Sequence, residues 1–354
     1  MEGKSKWLSI LLPIASVLLA FIVGGIIILS EGKSPILAYT YLFRGAVGTP
    51  TAIGETIAKA TALIFSGLCF AFAYKSSMFN LGGEGQIIMG AIFACVTAHI
   101  FRNTPSMGIT VLCLLAGVLG GMIWGAIPGL LKARRNVNEM ISSILLNYIA
   151  TLFMERLFSG PLKEANIPQT AAIPENMRIP TLIPNTRAHV GFILAIIVAI
   201  AVWYYLSHTY RGYSLRAVGL NPDAAEVNGF NVKRMIVFSF IVSGAIAGLG
   251  GAVELTGLSF RLQQGFVAGF GFDGVAIGLI GQMHPFGIIL AAFLFAALRT
   301  GTNSMQIMTG IPVSVVDIIQ AVIIIFVVAS MALMRLPKIQ QMMQKYTRRR
   351  AKNE

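Results

Sequence analysis

Charged residues are scarce in this sequence. Asp, Glu, Lys and Arg make up only 12% of its 354 residues. The usual fraction in soluble domains is about 25%. Apolar residues reach 56% and the mean hydropathy is +0.76. A chain with so few charges and so much apolar surface is not a soluble globular protein, so we interpret it as an integral membrane protein.

Cysteine and histidine are also rare. The three cysteines, Cys69, Cys95 and Cys113, lie in apolar segments at spacings that fit no metal site. We interpret them as packing residues rather than disulfide partners. The four histidines are scattered, and HExxH and GxSxG motifs are absent. The GFGFDG sequence at 269–274 lacks the βαβ context of a dinucleotide site, in particular the preceding strand. We therefore expect no metal site and no enzymatic activity in this chain.

Basic residues outnumber acidic ones by 27 to 14. They lie in short segments beside apolar runs, which is typical of a topology signal rather than of a nucleic-acid surface. When the N-terminus is placed in the cytoplasm, most Lys and Arg fall in the inner connections. The sequence therefore predicts that both termini are cytoplasmic, with a basic cytoplasmic tail at 335–354 and no nucleic-acid partner.

The sequence contains about ten apolar segments, and a membrane-spanning helix needs roughly 20 such residues. The first could be a signal peptide, but its length and the lack of a cleavage site favour a membrane helix. The eighth and ninth are short and could be half-helices or a re-entrant pair. We predict an all-α polytopic membrane protein with about ten transmembrane or re-entrant helices. The segments are 8–29, 55–74, 85–101, 108–131, 138–158, 189–207, 235–257, 271–283, 285–300 and 313–334.

Two connections are long. The loop at 160–188 carries five prolines, which exclude a continuous helix, and it is expected on the extracytoplasmic side. The loop at 208–234 is expected in the cytoplasm. There Asn221 suits an N-cap, Pro222 suits the first helical position and Gly229 suits a left-handed C-terminal cap. These residues predict a helix of about two turns, although they are equally compatible with a purely structural loop.

Several motifs resemble those of one transporter family. SLRAVGLNPDAAEVNGFN at 214–231 closely resembles the cytoplasmic coupling segment in permeases of ABC importers for simple sugars, nucleosides and branched-chain amino acids. FNLGGEGQIIMGA at 79–91 is similar to the FN-I-G-A-E-G-Q element of that branch. NEMISSILLNYIA, GFGFDGVAIGLIGQ and VVDIIQAVIII follow in the expected order. The departures are Gly83, where Ala is usual, and Phe230, where Ile is usual.

The resemblance implies a single transmembrane permease domain over 1–354, in the cytoplasmic membrane. ISSILLNYIA is most similar to nucleoside permeases that work with a basic-membrane-protein-type lipoprotein. Such a subunit translocates its small-molecule substrate by alternating access. Its implied partners are an ATPase with two nucleotide sites, a second homologous permease and an extracytoplasmic substrate-binding lipoprotein. ATP and Mg would reside on the ATPase, and no cofactor is expected in this chain.

The resemblance also assigns the loop at 208–234 to coupling, because a short helix of this kind docks into the ATPase. The matching residues are Asn221, Pro222, Ala224, Ala225 and Gly229. A simple-sugar (ribose-like) or branched-chain amino acid permease is the alternative within the family. An ion-coupled secondary transporter is the alternative from another class, because it would fit broken helices and the buried acidic residues Glu84 and Asp317. A membrane-embedded enzyme or assembly factor is disfavoured by the missing catalytic motifs.

The stretch FNLGGEGQ at 79–86 places an ionisable residue, Glu84, among glycines between two apolar segments. The glycines would permit a break in the helix, so we predict a hinge or gate beside the substrate path. The alternative is a sharp interfacial turn in which Glu84 caps the next helix.

Polar residues recur in two other segments. Asn136, Glu139, Ser143, Asn147 and Thr151 are spaced to share one helical face, where they could line a path or tie helices together. Asp317 and Gln320 lie within an apolar run, so a partner or a cavity is expected. The candidate residues of the substrate path are Phe79, Asn80, Glu84, Gln86, Ser143, Asn147, Asp317 and Gln320.

Overall fold

The computed structural model describes residues 2–104, 106–164, 167–266 and 269–334. Nearly all regular structure in these ranges is helical, because a backbone in an apolar medium must satisfy its hydrogen bonds internally. The helices are α1 (Glu2–Ser30), α2 (Pro35–Val47), α3 (Pro50–Tyr74), α4 (Gly83–Ile100), α5 (Met107–Arg135), α6 (Glu139–Ser159), α7 (Gly191–His208), α8 (Tyr210–Leu220), α9 (Pro222–Val227), α10 (Val232–Glu254), α11 (Phe270–Ile280), α12 (Pro285–Thr309) and α13 (Val313–Met334).

Each of the ten predicted apolar segments contains a helix. Among the described residues, seven helices are long and apolar enough to cross a membrane, or eight if the pair α1 and α2, bent by 119°, counts as one span. This confirms the polytopic helical class, whereas the finer count of ten stays a prediction. At 11 residues, α11 is too short to cross alone, since a helix rises about 1.5 Å per residue.

The chain divides into two compact units. One comprises Met1–Gly45 with Gly301–Glu354, and the other comprises Ala46–Thr300. In the first unit, α1 packs along α13, and the Tyr39 hydroxyl of α2 donates to the carbonyl oxygen of Phe21 at 2.6 Å. Helix α2 was absent from the sequence prediction, because its 13 residues are fewer than a span requires.

The core of the second unit is the packing of α10 against α5, α4 and α3. Glycines make the closest approaches. A Cβ atom on Gly121 would clash with the carbonyl oxygen of Gly244, and one on Gly90 would clash with that of Gly248. Two backbones therefore meet with no side chain between them, as expected for glycines spaced four apart on a membrane helix.

The predicted irregular loop at 160–188 contains a short antiparallel pair, β1 (Lys163–Glu164) and β2 (Ile167–Thr170), which the sequence analysis did not predict. The backbone amide of Ile173 donates to the Phe260 carbonyl at 2.8 Å, and that of Ile179 donates to the Thr256 carbonyl at 2.9 Å. The loop is thereby fastened to a π-helical turn at Leu255–Ser259 and to the residue that follows it.

Candidate functional site

A break in the helical structure separates α3 from α4 at residues 75–82. Two buried amide side chains hold its end. Asn80 Nδ2 donates to Gln86 Oε1 at 3.0 Å, and Gln86 Nε2 donates to Asn80 Oδ1 at 3.1 Å. Asn80 Oδ1 also accepts from the backbone amide of Gly82 at 3.0 Å. This reciprocal pair gives the turn a defined shape. Of the three glycines predicted to permit the break, Gly82 precedes α4 with φ of −85°, and Gly83 and Gly85 lie in its first turn, so the amides rather than glycine conformations define the turn.

Neighbouring helices extend this network. Asn80 Nδ2 also donates to the Ser243 hydroxyl of α10. The thiol of Cys69, on α3, donates to Gln86 Oε1 at 3.4 Å and lies 3.3 Å from the Ser243 oxygen. Polar groups of α3, α4 and α10 therefore satisfy one another inside an apolar unit, where unpaired polar groups would be costly.

Asn147 on α6 binds the end of the break and the first turn of α4. Its Oδ1 accepts from the backbone amide of Gly85 at 2.8 Å, and its Nδ2 donates to the Leu81 carbonyl at 2.8 Å. A side-chain amide thus replaces the helical bonds that the break removes. Ser143 turns back onto its own helix, where its hydroxyl donates to the Glu139 carbonyl at 2.6 Å.

The proposed polar face of α6 is shorter than expected. Asn136 was placed on it, but α6 begins at Glu139, with Asn138 as its N-cap. Asn136 instead ends α5 in a left-handed conformation, with φ of 51°. The face therefore comprises Glu139, Ser143, Asn147 and Thr151. The prediction failed at this end because an asparagine in the left-handed region closes one helix before the next begins.

Glu84 caps α11 rather than the next helix along the chain. Its side chain is only 8% exposed. One carboxyl oxygen accepts from the backbone amide of Gly269 at 3.0 Å, and the other accepts from that of Gly271 at 2.7 Å. These amides lie at the N-terminus of α11, where backbone donors have no helical partner. The alternative in which Glu84 caps the next helix, α4, is therefore wrong, because both carboxyl oxygens accept from the entry to α11.

Contact between Glu84 and α11 requires glycine. A Cβ atom on Gly271 would clash with the backbone nitrogen of Glu84. Nearby, the Ser66 hydroxyl donates to the Phe270 carbonyl at 2.6 Å, and Asp273 pairs with Arg299 of α12 at 2.6 Å. Helix α11 is thus fixed by α3, α4 and α12. The GFGFDG sequence at 269–274 forms the N-cap and first turn of this helix.

The structure gathers five of the eight candidates around the break, namely Asn80, Glu84, Gln86, Ser143 and Asn147. Phe79 adjoins them but is half-buried against other aromatic rings, with its centroid 5.3 Å from that of Tyr74. Asp317 and Gln320 belong to the first unit. Asp317 is exposed, and Gln320 Nε2 is buried with no hydrogen-bond partner in the part of the chain that the structure describes. Sequence reasoning missed the roles of Cys69, Ser243, Gly269 and Gly271.

The short helix predicted at 221–229 is present as α9. Asn221 Oδ1 accepts from the Ala224 amide at 3.0 Å, and Pro222 occupies the first turn. At the other end Gly229 has φ of 83°, and the amide of Phe230 donates to the Ala225 carbonyl at 3.0 Å. This is the Schellman arrangement that ends many helices.

Helix α8 connects α9 to the break. The sequence predicts 210–220 as part of a loop, and its two glycines and the polar side chains of Arg211, Ser214 and Arg216 give no apolar period. A Cβ atom on Gly219 would clash with the Lys75 carbonyl. The Phe230 ring packs on α8, 6.1 Å from Tyr210 and 6.0 Å from Tyr213 between centroids. An aromatic residue at 230, where Ile is usual, therefore has a structural reason.

Known proteins resemble the chain over almost its whole length. The family model for the permease component of branched-chain amino acid transport systems matches residues 52–328. The chain belongs to this permease family. The guanosine ABC transporter permease NupP of Bacillus subtilis is 37% identical, with 92% of this chain and 94% of the relative covered.

Two further relatives extend the comparison. The nucleoside ABC transporter permease NupB of Lactococcus lactis is 36% identical, with 92% of each chain covered. The glucose ABC transporter permease TsgB13 of Haloferax volcanii is 31% identical, with 92% of this chain and 88% of the relative covered. No solved structure matches. As a member of this family, the chain is a transport subunit integral to the cytoplasmic membrane, and its family implies partnership with an ATPase and a substrate-binding protein.

Proposed function

We propose that the chain is the permease subunit of an ATP-driven importer that translocates nucleosides by alternating access. The observation that carries this proposal is the 36–37% identity to permeases described for guanosine and for nucleosides, over more than nine-tenths of each chain. The glucose permease at 31% keeps a simple sugar as the second candidate. ATP and Mg would bind to the partner ATPase rather than to this chain.

Helix α9 is the proposed contact with that ATPase. Leu220 and Val227, at either end of it, are 88% and 89% exposed. Apolar side chains so exposed beside a capped helix suit docking into a groove of a partner. Ala224 is exposed and small, which allows close approach, whereas Ala225 is only 4% exposed and so faces its own chain. Asn221, Pro222 and Gly229 would act by keeping the helix formed.

The proposed topology follows from this contact. With α9 in the cytoplasm, the loop at 208–234 is the coupling loop, and the strand-containing loop at 160–188 faces the substrate-binding lipoprotein. Both termini would be cytoplasmic. The predicted basic tail at 335–354 lies outside the described residues. A second homologous permease would complete the membrane part and the ATPase would supply two nucleotide sites.

The polar cluster around the break is the proposed hinge. Its hydrogen bonds join α3, α4, α6, α10 and the entry to α11. A cluster that connects so many helices would change its partners when the helices move during alternating access. Asn147, Gln86 and Phe79 would meet the nucleoside only after such a change, because the two amides are engaged within the chain. Asp317 and Gln320 remain proposed path residues of the other unit.

Uptake assays test the proposal. In a strain deleted for the chain, we expect loss of labelled guanosine and uridine uptake and restoration by the intact gene. Ribose and leucine uptake should be unaffected. Loss of leucine uptake alone would overturn the nucleoside assignment, and loss of ribose uptake alone would favour the sugar alternative. Uptake that collapses with the ion gradient, rather than with ATP depletion, would favour an ion-coupled transporter.

Replacement of Gly229 by Val tests the docking role of α9. Gly229 has φ of 83°, where the backbone of a residue with a Cβ atom is strained, although no atom lies within 4 Å of the new Cβ. We expect uncoupling of ATP hydrolysis from uptake while membrane insertion is retained. Gly229→Asn is the control, because Asn tolerates the left-handed region. Normal uptake by Gly229→Val would contradict the coupling assignment.

A further inference from the structure

A large cavity lies beside α9 and is not used by the proposed transport mechanism. Its volume is ≈ 820 Å³, and it is bounded by the last turns of α5, the start of α8 and the first turns of α10. The loop that ends α9, at Gly229 and Phe230, forms another side. The cavity is therefore bounded by two candidate membrane spans, α5 and α10, and by the loop that ends the proposed coupling helix.

Four cationic side chains line this cavity: Arg134, Arg211, Lys233 and Arg234. No Asp or Glu is among its described lining residues. Within the described ranges none of the four makes an ion pair, whereas Lys132, on the same turn of α5 as Arg134, pairs with Glu139 at 3.0 Å. The cavity thus combines several unneutralised positive charges, which favours an anionic ligand.

The other wall is apolar and belongs to the membrane helices. Leu130 lies on α5, and Val237 and Ile241 lie on α10. Ile241 follows Lys233 by two helical turns, so apolar lining extends about 12 Å along α10 beyond the cation. A ligand that fills the cavity would therefore be anionic at one end and apolar along its length. A water-soluble acidic protein segment would match only the basic end of the cavity and not its apolar wall.

We propose that this cavity binds an anionic phospholipid. The phosphate-bearing headgroup would lie among Arg134, Arg211, Lys233 and Arg234, and an acyl chain would lie along Leu130, Val237 and Ile241. Basic pockets at the membrane surface between helices are a recognised way of holding such headgroups. Because Gly229 and Phe230 also line the cavity, the bound lipid would contact the C-terminal cap of α9. Lipid composition would thereby influence the position of the coupling helix.

Lipid titration of the full-length chain, purified together with its partner subunits, tests the proposal. Native mass spectrometry would follow binding of short-chain phosphatidylglycerol, with phosphatidylcholine and inorganic phosphate as comparison probes. We expect phosphatidylglycerol to bind more tightly than phosphatidylcholine, and inorganic phosphate to displace it only weakly. In Lys233→Gln and Arg234→Gln, binding should weaken about fivefold for each charge removed.

Matched variants separate this site from general surface charge. Arg135→Gln and Arg216→Gln remove exposed charges from α5 and α8 outside the cavity, so they should leave phosphatidylglycerol binding unchanged. Val237→Ser should weaken binding of the lipid but not of inorganic phosphate. Equal losses in the cavity and control variants would overturn the proposal, as would equal binding of phosphatidylcholine. Cavity variants that keep the lipid but lose the ATPase would assign the cavity to a protein contact and would also overturn it.

Discussion

The hydroxyl of Ser77 donates a 2.6 Å hydrogen bond to the carbonyl oxygen of Gly219, and so joins the α3–α4 break to helix α8. Helix α8 leads directly into α9, and the break leads directly to Asn80 and Glu84. The proposed docking helix and the polar cluster are therefore connected through the chain on either side of this side-chain-to-backbone hydrogen bond. A connection of this kind can transmit a displacement, but coupling has to be measured rather than assumed from contact.

Replacement of Gly219 by Val tests this connection. The new side chain would clash with the carbonyl of Lys75, and backbone cannot yield as a flexible side chain does. We expect α8 to shift away from the break, so that ATP hydrolysis continues while substrate uptake falls strongly. Parallel assays of uptake and ATPase activity in proteoliposomes would measure both. Arg216→Gln, an exposed position on the same helix, is the control. Tight coupling in Gly219→Val would show that the contact is only structural.

Glu84→Gln tests the anchoring of α11. The amide nitrogen of Gln cannot accept a hydrogen bond, so one of the two backbone amides, of Gly269 or Gly271, loses its acceptor. A buried unsatisfied donor costs about 1–3 kcal/mol, and we expect lower thermal stability together with slower transport. Glu55→Gln is the matched control, because the side chains of its ion pair with Arg187 are 27% and 66% exposed, and exposed pairs contribute at most about 1 kcal/mol. Unchanged transport and stability in Glu84→Gln would reduce this segment to an ordinary turn.

The sequence was most informative where a residue acts on its immediate neighbours. Asn221, Pro222 and Gly229 predicted α9 because caps and left-handed glycines are local features. Apolar runs predicted ten helical segments for a similar reason, since hydropathy reports the medium around a segment. The break was also predicted, because glycines and polar residues interrupt an apolar pattern, but at 79–86 rather than at the observed 75–82.

The partners of these residues lie far away in sequence and left no local signal. Glu84 accepts from amides 185 and 187 residues along the chain, and backbone amides have no residue type by which to recognise them. Asn147 and Leu81 are 66 residues apart. A polar residue in an apolar run predicts that a partner exists, and only the packing of helices decides which one.

Gly121→Ala tests the close contact between α5 and α10. The added methyl group would clash with the Gly244 carbonyl, so the helices must separate and neighbouring contacts are lost. Overpacking of this kind typically costs about 1–3 kcal/mol. Gly108→Ala on the same helix is the control, since its Cβ would meet only the Ser106 side chain at 3.6 Å. Thermal unfolding in detergent should show a loss for Gly121→Ala alone, and equal melting temperatures would contradict the packing role.

His189 gives the folded state a pH dependence. It precedes α7 and is only 1% exposed, and neither ring nitrogen has a hydrogen-bond partner among the described residues. Burial lowers the pKa of His189 from 6.5 to about 4. Above pH 6.5 both the folded and unfolded states carry a neutral imidazole. As the pH falls from 6.5 towards 4, only the unfolded state takes up the proton, so the free energy of unfolding decreases by up to about 3 kcal/mol.

His189→Leu should remove this part of the decrease, which denaturant titrations at several pH values would measure. Parallel stability curves for the intact chain and for His189→Leu would show that His189 is protonated equally in both states.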